Sequence, residues 1–214
     1  MRRGAAAAAQ GGDEKEIGYA TFFVGWHLRL HGDLVEAREH LERSLAMAER
    51  IGEIFLRAQS LFLLAVTALR RHDVEAVRSL APQAVTAAEA ATSPGFVAGA
   101  KACLAWLAWQ DERPGGVVTL TNEAAELWSI GNALTTQYRW IGLWPLVATH
   151  LEASKVAEAV AAGRQMIEPS QERLPDELES RLESACSAWE RDQPEVARDK
   201  LAEALQMAHD LHYF

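Results

Sequence analysis

His27 and His31 stand four residues apart, the spacing at which two imidazoles on one helix face can share a metal ion, and His40 follows in the next helix. A zinc helix of the protease kind also needs a glutamate beside its first histidine. Residue 28 is leucine and no third ligand lies close in sequence, so this histidine group is read as a solvated or partner-facing surface and no metal is expected. Asp176, Glu177 and Glu179 could do acid–base work only if one of them were desolvated in a cleft. Directly after Pro175 they have a simpler task, complementing the dipole and the free N–H groups of a helix start. Cys103 and Cys186 lie far apart, each inside an apolar pattern, without the spacing of a zinc knuckle, and read as buried free thiols. No serine or cysteine sits in a recognisable nucleophile motif, and no G-x-x-x-x-G-K-[ST] loop occurs. The sequence therefore nominates no catalytic residue, no metal and no cofactor, and a non-enzyme is expected.

Elements that position partners rather than reactants are the alternative, and composition favours helices. Of 214 residues 49% are apolar, with alanine and leucine dominant and few β-branched runs, enough for one long solenoid. The net charge of −9 falls entirely in the second half: residues 1–110 carry 12 basic and 12 acidic side chains, residues 111–214 carry 9 and 18. That half would repel a phosphate backbone, so nucleic acid is not an expected partner. Met1-Arg2-Arg3-Gly4 and the alanines after it are too short and too weakly apolar for a signal peptide, and no stretch of about 18 apolar residues occurs. A cytoplasmic protein without membrane contact is expected.

A repeat organises the chain. Small residues at 25, 65, 105, 148 and 185 are spaced 40, 40, 43 and 37 apart. A second small residue follows each, at Ala37, Ala76, Gly116, Ala159 and Ala197, and four residues later comes Leu41, Leu80, Leu120, Gly163 or Leu201. Two antiparallel helices joined by a tight turn approach closely only where small side chains face each other, and larger ones fill the flanks. Gly163 makes the fourth repeat the weakest match. Stop and cap signals predict ten helices, near 14–31, 34–51, 54–71, 73–91, 94–111, 115–131, 133–152, 154–167, 175–190 and 194–211. Pro94, Pro114, Pro175 and Pro194 mark helix starts, and Asp33 and Ser154 read as N-caps. Pro82 and Pro145 fall inside predicted helices and should kink or split them. The organisation expected is a disordered tail over 1–13, four helix pairs over 14–167, a loop over 168–174, and a terminal fifth pair over 175–214.

The first repeat, Thr21-x-x-Val24-Gly25-x-x-Leu28 followed by Gly32-Asp33 and Ala37-x-x-x-Leu41, resembles the tetratricopeptide repeat with its large aromatics thinned out. The period near 40 implies helices of about 16 residues, or about 24 Å. Trp144-Pro145-Leu146-Val147-Ala148, the stretch from Glu168 to Glu179, Ala188-Trp189-Glu190 and Ala197-x-x-x-Leu201-x-x-Ala204-Leu205 resemble the C-terminal repeat array of bacterial signalling proteins. Those proteins carry a nucleotide cyclase or similar effector and a STAND- or AAA-type ATPase ahead of their repeats. The resemblance spans residues 17–214 and implies an all-α solenoid of about five antiparallel pairs, wound as a right-handed superhelix. It also implies a concave face lined by the first helix of each pair. Aligned on the small residue, Tyr19, Phe22, Trp26, Phe62, Trp106, Trp109 and Trp189 fall on that face, with Leu182, as the candidate partner-binding set; the alternative, and the favoured one, is that these rings pack between neighbouring repeats. Trp140 and Trp144 read as core.

The function implied is a protein-interaction scaffold or sensor, the regulatory repeat region of an ATPase- or cyclase-type signalling protein, taking a protein or peptide partner. Two rivals accompany it. One is a sensor of a small apolar ligand in a cavity near Trp26, Phe62 and Trp106. The other is a homo-oligomerisation module using Leu211, Tyr213 and Phe214 as an exposed apolar end face.

Overall fold

A computed structural model of the chain describes residues 14–130 and 133–214, and the tail expected over 1–13 lies outside them. The described residues form ten α-helices and one 3-10 turn, with no strand among them. The helices are α1 (Glu14–Leu30), α2 (Leu34–Ile51), α3 (Ile54–Leu69), α4 (Val74–Ala90), α5 (Pro94–Gln110), α6 (Pro114–Ile130), α7 (Trp140–Glu152), α8 (Val156–Met166), α9 (Asp176–Glu190) and α10 (Pro194–Asp210). The 3-10 turn, Ala133–Tyr138, precedes α7.

Each odd helix pairs with the even helix after it, and α1, α3, α5 and α7 lie side by side, so the pairs stack as a solenoid. In the last step the pattern changes. Helix α10 lies against α7, and α8 meets both α9 and α10, so the fifth pair is turned relative to the other four.

The repeat is more regular than its small residues suggest. Helix α2 buries Ala37, Leu41, Ser44 and Ala48; α4 buries Val77, Ala81, Ala84 and Ala88; α6 buries Val117, Thr121, Ala124 and Trp128. These stripes repeat at intervals of 40 residues. The positions expected at Ala76, Leu80, Gly116 and Leu120 are one residue off and only half-buried. The buried register falls one residue later, with Val77, Ala81, Val117 and Thr121 inward in place of Ala76, Leu80, Gly116 and Leu120. Gly163 is no defect either. A Cβ there would stand 3.2 Å from Leu201 and 3.4 Å from Leu182, so the glycine makes the seat for the fifth pair. At the first crossing a Cβ on Gly25 would meet Leu41 Cγ at 2.8 Å and the Ala37 carbonyl at 3.1 Å.

One turn design recurs. Gly32, Gly52, His72, Thr92, Glu112, Ser154, Asp192 and His212 each follow a helix with φ between 51° and 87°. After each, the next N–H reaches five residues back, as in Asp33 to Leu28, Ser93 to Ala88 and Tyr213 to Ala208. This is the left-handed helix stop that glycine favours, and six of the eight positions are not glycine. Ser154 is thus a stop residue and not a cap, since Lys155 holds the N-cap position of α8. Asp33 holds its N-cap position without a side-chain bond, whereas Asp73 accepts from Ala76 N at 3.1 Å.

Neither internal proline breaks its helix: α4 runs through Pro82 and α7 through Pro145. Each removes one N–H, and packing against neighbouring pairs holds the rest of the helix together. The break expected near Pro145 comes earlier, where the 3-10 turn ends and α7 begins.

Candidate binding face

Helix α1 buries Gly18, Phe22, Gly25 and Arg29, a stripe spaced four, three and four that faces α2 and α3. Forty residues on, the equivalents are Ala58, Phe62, Ala65 and Leu69, all buried in α3. Arg29 therefore occupies a core position, and it is 0% exposed. Buried guanidinium is costly without partners, so its surroundings define the inner wall.

Three segments outside the regular helices fill that wall. The 3-10 turn brings Tyr138 between α1 and α3. Its hydroxyl accepts from Trp26 Nε1 at 3.0 Å, its ring meets Phe62 edge-on with centroids 5.1 Å apart, and Arg29 lies 5.3 Å from its centroid. The 168–174 loop brings Glu172, which accepts from Arg29 Nη2 at 3.2 and 3.4 Å and from Trp140 Nε1 at 3.4 Å. The Glu172 N–H donates to the Gln137 carbonyl at 3.1 Å, tying the loop to the turn. The segment after α10 brings Tyr213 beneath the Arg70 guanidinium, 4.1 Å from its centroid and 5.2 Å from the Trp140 ring, while Phe214 lies on Trp109.

Burial works against the Arg29 charge, but Tyr138 and Glu172 more than offset it and hold the group above its ordinary value. For Arg70 burial prevails, reinforced by the like charge of Arg29, and its value is lowered. Burial likewise pushes the Tyr138 and Tyr213 phenols up, so both stay protonated donors at neutral pH. Arg29 thus pairs with Glu172 while Arg70 stacks on Tyr213, both on a largely buried wall. Arg29 Nε and Nη1 and Arg70 Nε have no hydrogen-bond partner.

The expected partner-binding residues do not form one open wall. Phe22, Phe62 and Trp106 are buried in the core, with Phe62 packed on Phe96 and Tyr138. Tyr19, Trp26, Trp109 and Trp189 are half-buried. The space expected near Trp26 and Phe62 is taken by Tyr138. Trp140 and Trp144 are fully buried, as core residues should be. Tyr213 is buried and Phe214 half-buried, so of the apolar end face only Leu211 is exposed.

His27 and His31 are exposed and their rings meet edge-on at 4.4 Å, and among the described residues no group of three ligand-type side chains is arranged to hold a metal ion. Glu179 accepts from Leu174 N at 3.0 Å, and Arg173 bridges Asp176 and Glu179, which is cap chemistry.

Arg29, Arg70, Tyr138 and Glu172 were not nominated from sequence, and Tyr213 was named only as part of an exposed end face. The signal for Arg29 was present, as a charged residue on the stripe of Gly18, Phe22 and Gly25 and one repeat before Leu69. Glu172 and Tyr213 carry no such periodic mark. Searches of family models, curated proteins and solved structures return no match to this chain, so its likeness to tetratricopeptide arrays rests on the ten-helix antiparallel packing itself.

Proposed function

We propose that the chain is an interaction scaffold, a regulatory repeat module that binds a helical segment of an ATPase- or cyclase-type signalling protein in the cytoplasm, and that it catalyses no reaction. The observation that supports this is the outer face of α1. Phe23, Val24 and Leu30 share one face with His27 and are 52%, 44% and 43% exposed. The corresponding helices α3 and α5 are covered on both sides by neighbouring pairs and bury twelve residues each. A further helical layer stacked on α1 would bury this stripe in the way each pair buries the one before it, at about 25 cal/mol per Å² of apolar surface.

A photoactivatable residue at position 23 tests the reading, with the same residue at exposed Glu42 as control. A cross-link to a protein carrying a P-loop ATPase or cyclase domain is expected from position 23 alone. It should vanish in Leu30→Glu while the melting temperature is unchanged. Equal labelling from both positions would sink the proposal, and a cross-link confined to a second copy of this chain would replace it with the oligomerisation reading.

A further inference from the structure

The inner wall presents more cation than its own chain satisfies. Arg29 is wholly buried, yet only Nη2 reaches Glu172, end-on and at 3.2 Å or more, where charge-assisted pairs usually close to about 2.7–2.9 Å. Its Nε and Nη1 have no partner, and neither has Arg70 Nε. Buried donors are almost always satisfied, and an orphaned one keeps the cost of its lost hydration. Arg70 stacks on Tyr213, whose ring meets Trp140, the indole that donates to Glu172, so the two guanidiniums flank one buried cluster. The residues covering the pair come from the parts easiest to displace. Glu172 stands in the long non-helical connection between α8 and α9, and Tyr213 in the segment after α10.

We infer that Arg29 and Arg70 form a two-guanidinium clamp for a carboxylate-bearing extended peptide, a site that Glu172 and Tyr213 of the same chain occupy in its absence. A ligand carboxylate seated in place of Glu172, without its tether to the loop, would close on Arg29 to ordinary charge-assisted distance and accept from donors that Glu172 leaves orphaned. The ligand is read as a peptide because the present occupant is one: Glu172 comes from Glu168-Pro169-Ser170-Gln171-Glu172-Arg173-Leu174-Pro175, a stretch without regular helix. Trp140 and Tyr138 give that peptide an aromatic floor, since both already touch the occupant or the arginine. Release of Glu172 would free the 168–174 loop, and with it the link to the 3-10 turn, so ligand entry would be coupled to movement of the fifth pair. This rests on the scaffold reading but not on the α1 face. A failed clamp with an intact position-23 cross-link would leave that reading standing.

The test uses the full chain and a fluorescent peptide copying residues 168–175, read by anisotropy. The Glu172→Gln, Tyr213→Ala double variant should bind the peptide at least tenfold more tightly than the parent. A peptide with glutamine at the position of Glu172 should lose that gain, as should adding Arg70→Met. Should the double variant fail to fold, Tyr213→Ala alone opens Arg70 without stranding a buried charge, and a several-fold gain is expected from it. No gain in a variant that keeps its circular dichroism, or equal binding of the glutamine peptide, would overturn the clamp. Inorganic phosphate at matched ionic strength should not compete. Competition as strong as that of unlabelled peptide would show a simple anion site and overturn the peptide assignment.

Discussion

Gly99 and Gly115 sit in successive helices, and the same substitution should move stability in opposite directions at the two positions. A Cβ on Gly99 would lie 2.5 Å from Phe62 Cε2 and 2.7 Å from Cζ, whereas carbon contacts settle near 3.5–4.0 Å. The ring must retreat by about 1 Å, and it has nowhere to go, being fully buried with Phe96 at 5.7 Å and Tyr138 at 5.1 Å between centroids. Overpacking of this sort costs about 1–3 kcal/mol. We place Gly99→Ala at the upper end, because Tyr138 also holds Trp26 and would be pushed with the ring. Alanine returns about 1 kcal/mol of helix propensity, leaving a net loss of about 2 kcal/mol. At Gly115 nothing lies within 4 Å of the added methyl, so only the propensity gain, about 0.5–1 kcal/mol, remains. Urea unfolding followed by circular dichroism measures both, provided the slope with denaturant is unchanged. Phe62→Leu in the Gly99→Ala background should show coupling of about 1 kcal/mol or more, since the smaller side chain relieves the clash. If Gly99→Ala stabilises the chain as Gly115→Ala does, the packing argument for the stacked odd helices is wrong.

Other outcomes can be checked on the same material. Thr92 is β-branched at φ 51°, so Thr92→Gly should stabilise by about 1 kcal/mol; conversely Gly52→Ala, with open space around it, should cost about 1 kcal/mol through backbone strain alone. Thermal melts report both, and no change in either would count against the recurring turn. Burial drives the Cys103 thiol up to about 12 and raises Cys186, so neither should react with a thiol reagent until the chain is denatured. Fast labelling of the native protein would contradict the packing of α5 or α9. Burial, then His212 and His209, lower the pKa of His72, so the folded state disfavours its proton relative to the unfolded chain. The stability this contributes is complete above the ordinary histidine range and is lost as pH falls through it. The melting temperature should therefore drop modestly between about pH 7 and about pH 5, and His72→Gln should flatten part of the drop.

The helices were readable because their signals are local. Prolines at 94, 114 and 194 open helices, and small residues recur where backbones cross. What hid was anything depending on where the array bends. Which residue of Ala76 and Val77 faces inward depends on helix rotation, which differs by one position and is fixed by the neighbouring pair. Arg29 looks like a surface residue by type, and only its place one period before Leu69 contradicts that. The aromatic face was half legible. The period gathers these rings on the odd helices, but Tyr138 returns from distant sequence onto Trp26 and Phe62 and Phe214 onto Trp109, and no period links those to α1, α3 or α5.

The contact between Arg29 and Glu172 joins residues 143 positions apart, and that between Trp26 and Tyr138 joins residues 112 apart. An open stack of helix pairs unfolds piecemeal, because each layer is coupled only to its neighbours. Here the first layer is clasped to segments that lie beyond the third and fourth, so losing either end removes support from the other. Such a molecule behaves less like a spring, which yields coil by coil under tension, than like a buckled strap, which holds until the clasp opens and then gives way at once.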